Sequence, residues 1–144
     1  MYLHSNSQAQ WYHVLNDLQL ETSIELPLEI EHYLILTLIK GSEHLPLLET
    51  VIADDFLLLL NQPFAHKHWR DLGDRCLLLN GLFPLWTERR SRSKSYYARI
   101  GRLAYQQAAM QHYDYHQKVF EHLSQHFDEI TFFLNHVDGL AQKQ

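Results

Sequence analysis

Residues 72–105 read LGDRCLLLNGLFPLWTERRSRSKSYYARIGRLAY, and this stretch decides the fold. It parses into a helix carrying Gly73, a turn at Gly81-Leu82-Phe83-Pro84, a basic run, and a second helix carrying Gly101. A glycine inside a helix costs about 1 kcal/mol against alanine, so each needs a compensating reason. Close approach of another part of the chain is the usual one. Tyr97, Gly101, Ala104 and Ala108 share one stripe of the second helix, and Trp69, Gly73, Cys76 and Asn80 recur at the same period in the first. The two helices are therefore expected to cross tightly at their glycines.

The rest of the chain reads as helix on either side. Ser7 or Asn6 can cap a first helix whose apolar face is Trp11, Val14, Leu15 and Leu18, with 19–26 as a connector. Pro27 suits the first turn of a second helix, which Gly41 should stop. Within it, 33–39 is apolar enough to read as strand as well. Pro46 opens a third helix to about Leu60, apolar nearly all round apart from Glu49, Asp54 and Asp55. A fourth spans about 65–80, with Gly81 as its stop, and a fifth about 94–109. Val119, Leu123, Phe127, Ile130, Leu134 and Val137 give a last helix, ended by Asp138-Gly139. The expectation is an all-α, bundle-like single domain over 1–144, of five to seven helices, with the third and fifth near its centre.

Composition narrows the class. At 144 residues with 46% hydrophobic and 20% charged side chains, the chain can build a core and is not of the disordered type. A lone cysteine, Cys76, excludes an intrachain disulfide framework; it reads as a small buried hydrophobe. The first ten residues lack a basic segment followed by an apolar one, and no apolar run approaches a membrane span. The expected compartment is the cytoplasm.

Charge is unevenly placed. Residues 1–66 hold nine acids and one base, 67–102 three acids and nine bases, and 103–144 five acids and two bases. Arg89, Arg90, Arg92, Lys94, Arg99 and Arg102 make up half of the chain's lysines and arginines. Ser93 or Ser95 can cap the helix that follows the run. Arginines just before a helix N-terminus, with its free N–H groups, suit an anion. The competing reading is that acidic helices simply pack beside the basic one.

The pattern LGD, GLFP, SYY and IGRLAY resembles an uncharacterised family of bacterial helical proteins. The resemblance covers roughly residues 70–108. It implies a helical fold and a bacterial source, and no activity.

Three further groups are candidates. Asp54, Asp55, Asp71 and Asp74 could share acid and base work if burial split their pKa values; on apolar helices they are expected to pair with Arg75, Arg99 or Arg102. His112 and His116 are spaced i, i+4, as are His122 and His126, which can bring two imidazoles to one metal. Glu29 and His32 have the Glu-x-x-His spacing of di-iron bundles, but no second such motif occurs. His66 and His68 have no matched partner. Leu82, Phe83 and Trp86 form an apolar elbow that should plug the core or mark a contact surface.

No Walker, dinucleotide-glycine, G-x-S-x-G or H-E-x-x-H pattern is present. The expected role is a non-enzymatic binding or regulatory protein, with no cofactor. Its arginine-rich face would meet an acidic protein segment or a phosphorylated small ligand. A sequence pI of about 6.1 disfavours nucleic acid. The alternatives are a metal- or ligand-binding bundle using His112 and His116, and a subunit of a larger assembly or a homo-oligomer.

Overall fold

The computed structural model describes residues 7–43, 52–62, 66–88, 94–111 and 115–137. Among them there are eight helical segments and no strand: α1 (Ser7–Thr22), α2 (Leu28–Glu43), α3 (Ile52–Leu60), α4 (His66–Leu82), α5 (Pro84–Glu88), α6 (Lys94–Met110), α7 (Tyr115–Gln125) and α8 (Phe127–Leu134). The 33–39 run is helix, not strand. Leu34, Ile35 and Leu38 are buried there while Leu36 is half exposed, which is a helical pattern of burial.

The central layer is α4 packed on α6, the most extensive helix pair among the described residues. The two run antiparallel, since Gly73 faces Tyr105 and Cys76 faces Gly101. Their glycines do not meet each other. Each leaves a hole that a neighbouring ring fills. A Cβ on Gly73 would lie 2.8 Å from the Tyr105 ring, and one on Gly101 would lie 2.5 Å from Phe127 and 3.0 Å from the Cys76 Cβ. The close approach anticipated from the sequence is therefore ring to backbone. It fully buries Tyr105 and Phe127, and full burial of a large apolar side chain contributes about 1.5–3 kcal/mol. That outweighs the helix-propensity cost of each glycine.

Two glycines that local sequence rules read as helix stops lie inside helices instead. α2 continues through Gly41 to Glu43, and a Cβ at Gly41 would collide with Leu78. α4 continues through Gly81, where a Cβ would sit 2.8 Å from Leu134. No described glycine has a positive φ. Packing demand, not turn geometry, placed them there.

The other elements wrap this pair. α8 lies along α4, with Phe127 at Gly101 and Leu134 at Gly81. α7 and α8 are one apolar stripe in sequence, yet the helix bends at His126 (φ −111°, ψ 24°) while backbone bonds from His126 to His122 and from Ile130 to His126 carry across. α1 and α2 form a hairpin. α1 runs to Thr22, so its connector is only 23–27, and Ser23 takes the left-handed conformation (φ 61°). Gln19 clamps this turn: its Oε1 accepts from the Leu26 N–H at 2.9 Å and its Nε2 donates to Glu31 at 2.8 Å. Pro27 acts one residue earlier than anticipated, its carbonyl accepting from Ile30 and Glu31 at the start of α2.

The third helix is not central. α3 buries Ile52 and Leu59 and sets Phe56 edge-on to Trp69, but Leu57, Leu58 and Leu60 are each more than half exposed. An apolar helix sequence states what a helix can bury, not what the rest of the chain supplies to bury it. α4 takes the central place instead, buried at nearly every position from Trp69 to Gly81 apart from Arg70, Asp71 and Arg75. The anticipated stop at Asp138-Gly139 and the part of the third helix before Ile52 lie outside the described residues.

The glycine holes make a graded prediction. Gly101→Ala should destabilise by about 1–3 kcal/mol, because its methyl meets an aromatic ring and a Cβ that cannot move independently. Gly41→Ala should cost less, because its methyl meets the tip of one leucine and alanine favours helix. Urea midpoints of the two variants check the order; equal midpoints would show that the ring over Gly101 is not tightly seated.

Candidate functional site

Two polar constellations stand out, one anticipated in the sequence and one not. The anticipated one is the basic entry to α6. Arg89, Arg90 and Arg92 lie outside the described residues, as does Ser93; Ser95 is already inside the helix. Lys94, Arg99 and Arg102 are described. Three helix ends converge at Lys94. Asn80, buried near the end of α4, donates its Nδ2 to the Lys94 carbonyl at 2.9 Å. Asn135, just past α8, donates to the carbonyls of Asn80 and Gly81 at 2.9 and 2.7 Å. Its Oδ1 accepts from Lys94 Nζ at 3.1 Å. Asn135 thus satisfies carbonyls that the end of α4 leaves open, and the two asparagines together tie the start of α6 to the ends of α4 and α8.

The cations near this point differ in their partners. Arg102 pairs with Asp128 on α8 at 2.9 Å, and Arg75 pairs with Asp55 on α3 at 2.6 Å. Among the described residues, Lys94 donates to a neutral amide oxygen and has no ion pair, and Arg99 is exposed with no ion pair. Part of the charge asymmetry is therefore internal, basic middle against acidic flanks. Beside this region, Leu82 and Phe83 pack at the edge of the core, whereas Leu85 is 59% exposed; the side chain of Trp86 lies outside the described residues.

The second constellation is a buried carboxyl at the junction of three helices. Asp74 of α4 accepts hydrogen bonds on the same oxygen, Oδ1, from Tyr33 of α2 and Tyr105 of α6, each at 2.7 Å. An arginine was the expected partner of Asp74; two phenols take that place. Of the four candidate aspartates, those that reach cations among the described residues are Asp55, with Arg75, and Asp71, beside Arg70 at 3.4 Å and Lys40 at 3.9 Å. The reason is position: Asp74 points from α4 into the α2–α6 side, where the nearest polar atoms belong to tyrosines. Burial raises the Asp74 carboxyl to about 6, while Tyr105, Tyr33 and Arg70 each favour its charged form. Burial, and then the Asp74 charge, push both phenols well above their ordinary value, so they remain donors. Around them Tyr105 stacks on Phe120 with centroids 6.1 Å apart, and Tyr33 meets the same ring edge-on at 5.7 Å.

Sequence reasoning named Asp74 but not Tyr33 or Tyr105. The available signal was two tyrosines on otherwise apolar helix faces, since a buried phenol requires a polar partner. Cys76, two residues further along α4, is fully buried and its thiol is pushed up to about 12 by burial, which makes it an inert core group.

The histidines are dispersed. Of the pair His112 and His116, the first lies outside the described residues. His122 and His126 stack at 4.3 Å, and His126 Nδ1 is 3.4 Å from Glu129. Burial and the neighbouring His126 lower the pKa of His122. His32 is engaged by the Tyr12 hydroxyl at 3.1 Å. Among the described residues no three His, Cys, Asp or Glu side chains converge as a metal site, and no helix is long and apolar enough to cross a membrane.

Asp74 predicts a specific pH dependence. Its folded pKa lies above the unfolded value near 3.8, so its contribution to stability is fully present below about pH 4 and is lost as pH rises through about 6. Asp74→Asn keeps an oxygen for both phenols and cannot ionise. Relative to this variant, the wild type should lose about 2–3 kcal/mol of unfolding free energy between about pH 4 and pH 7.5. Denaturant unfolding of both proteins across that range checks it; parallel curves would mean Asp74 titrates normally. The chain matches no protein family, no curated protein and no solved structure, so a functional reading rests on its own residues.

Proposed function

We propose that this chain is a cytoplasmic, non-enzymatic binding or regulatory protein that presents the basic segment leading into α6 to an anionic partner, an acidic protein segment or a phosphorylated small ligand. The observation that carries the reading is the contrast among cations. Arg75 and Arg102 have carboxylate partners, whereas Lys94 donates to a neutral amide and Arg99 is exposed without an ion pair among the described residues. The positive charge nearest the start of α6 is thus left to act outward. The N-terminus of a 17-residue helix adds a partial positive charge of its own. The arginines at 89, 90 and 92 immediately precede it in sequence, and their planar forks favour carboxylate and phosphate. An overall charge of −5 disfavours indiscriminate binding to nucleic acid.

A second reading, a subunit of a larger assembly or a homo-oligomer, draws on the exposed Leu57, Leu58 and Leu60 of α3 and on Leu85 beside the basic segment. Aliphatic side chains left in water in this number favour a protein surface as cover.

Binding of a fluorescein-labelled octaglutamate peptide and of inorganic tripolyphosphate tests the first reading. One of these probes should bind at about 50 mM salt and weaken roughly tenfold or more by about 300 mM. Replacing Arg89, Arg90 and Arg92 together with alanine should abolish most of that binding and leave the thermal midpoint close to wild type. If neither probe binds at low salt and the triple variant unfolds more readily, the arginines are internal partners of the acidic helices and the proposal fails.

A further inference from the structure

The α1–α2 hairpin is a unit with its own internal clamps and a restricted attachment to the rest. Inside it, Trp11, Leu15 and Leu18 of α1 are buried, Gln19 bridges Leu26 and Glu31, and Tyr12 reaches His32. α1 packs chiefly on α2, so α2 carries the hairpin's attachment to α4 and α7. Its apolar contacts include the Tyr33 ring on Phe120 of α7 and Gly41 against Leu78 of α4. Among the described residues, Glu29 of α2 acts electrostatically on His122 of α7, and the polar contacts between the hairpin and the rest include two side-chain pairs. One is the exposed pair Lys40–Asp71 at 3.9 Å, which water and salt weaken. The other is the Tyr33 hydroxyl on buried Asp74.

We propose that the Tyr33–Asp74–Tyr105 cluster is a proton-controlled latch that sets how firmly the α1–α2 hairpin docks on the α4–α6 pair. The geometry assigns the parts. Tyr105 holds the carboxyl from α6 and stays buried with it. Tyr33 is the member that leaves when the hairpin lifts, and its departure opens the α2 side of Asp74 to water. The groups that act on the carboxyl are Tyr33 from α2, Tyr105 from α6, and Arg70 and Asp71 from α4 itself; α7 contributes the Phe120 ring. In the docked state the carboxyl is out of water and holds its proton more tightly than in the lifted state. Docking therefore takes up a proton over part of the pH range, and lifting releases it. Mildly acidic conditions close the latch. Above about pH 6 the docked hairpin must cover a charge, and local opening of the hairpin becomes easier while the α4–α6 pair stays folded. Lifting would uncover the apolar face of α2 around Leu34, Ile35 and Leu38, which is how such a latch could govern access by a partner.

Amide hydrogen exchange on the full chain, corrected for the intrinsic effect of pH, is the test. Between pH 5 and pH 7.5 the opening equilibrium of α2 amides should rise by up to about tenfold, the limit set by a docked value near 6 and an unfolded value near 3.8. Amides of α6 should not follow. Asp74→Asn should flatten the α2 response. Carbon-13 titration of the Asp74 carboxyl gives an independent readout. In the wild type its midpoint should lie near 6. In Tyr33→Phe it should move higher, since the carboxylate loses one donor. The latch is overturned if α2 protection does not change with pH, if α2 and α6 change together, if Asp74 titrates below about pH 5, or if Tyr33→Phe leaves the midpoint where it was.

Discussion

The seat of Tyr105 over Gly73 is the contact on which the rest of the molecule depends. The ring lies where a Cβ would be on α4, so α4 and α6 can pack only if residue 73 has none. The same ring stacks on Phe120 and leans on Phe127 at 6.2 Å, which places α7 and α8. Its hydroxyl reaches Asp74, and through Asp74 it shares a partner with Tyr33 of α2. One side chain thus touches or orients most of the other layers. Losing the ring would leave a large void, and losing the hydroxyl alone would leave a buried carboxyl short of a donor; these are different costs.

Part of the charge asymmetry is internal to the molecule. Arg75–Asp55 and Arg102–Asp128 each join the basic middle of the chain to an acidic flank. Partly exposed pairs of this kind contribute little energy individually, but they account for why acidic and basic segments alternate along the sequence. Among the described residues Lys94 and Arg99 have no carboxylate partner. The asparagines at 80 and 135 do instead what carboxylates do elsewhere: they tie α4, α6 and α8 at one end without neutralising charge.

The buried carboxyl links the stability of the fold to pH. An ionisable group at a three-helix junction is a costly choice where an amide or an apolar residue would fit. In this fold one of its two phenol partners comes from the hairpin and the other from the body. Burial and hydrogen bonding oppose each other at that carboxyl, and burial outweighs the donors, raising it to about 6.

Much of the helical framework was legible from residue pattern alone. The α1 face of Trp11, Leu15 and Leu18 and the limits of α6 follow from period and composition. So does the need for close contact at Gly73 and Gly101. What local rules could not supply was anything that depends on a distant neighbour. Gly41 and Gly81 look like helix stops, but Leu78 and Leu134 occupy the space beside them and the helices run on. The apolar third helix looks central, yet three of its leucines find no cover because the chain packs α4 in the middle. Asp74 looks like an arginine's partner, because arginines are its neighbours in sequence. Its actual partners lie 41 and 31 residues away, and only the antiparallel packing of α4 on α6, with α2 laid across, brings those phenols within hydrogen-bond distance.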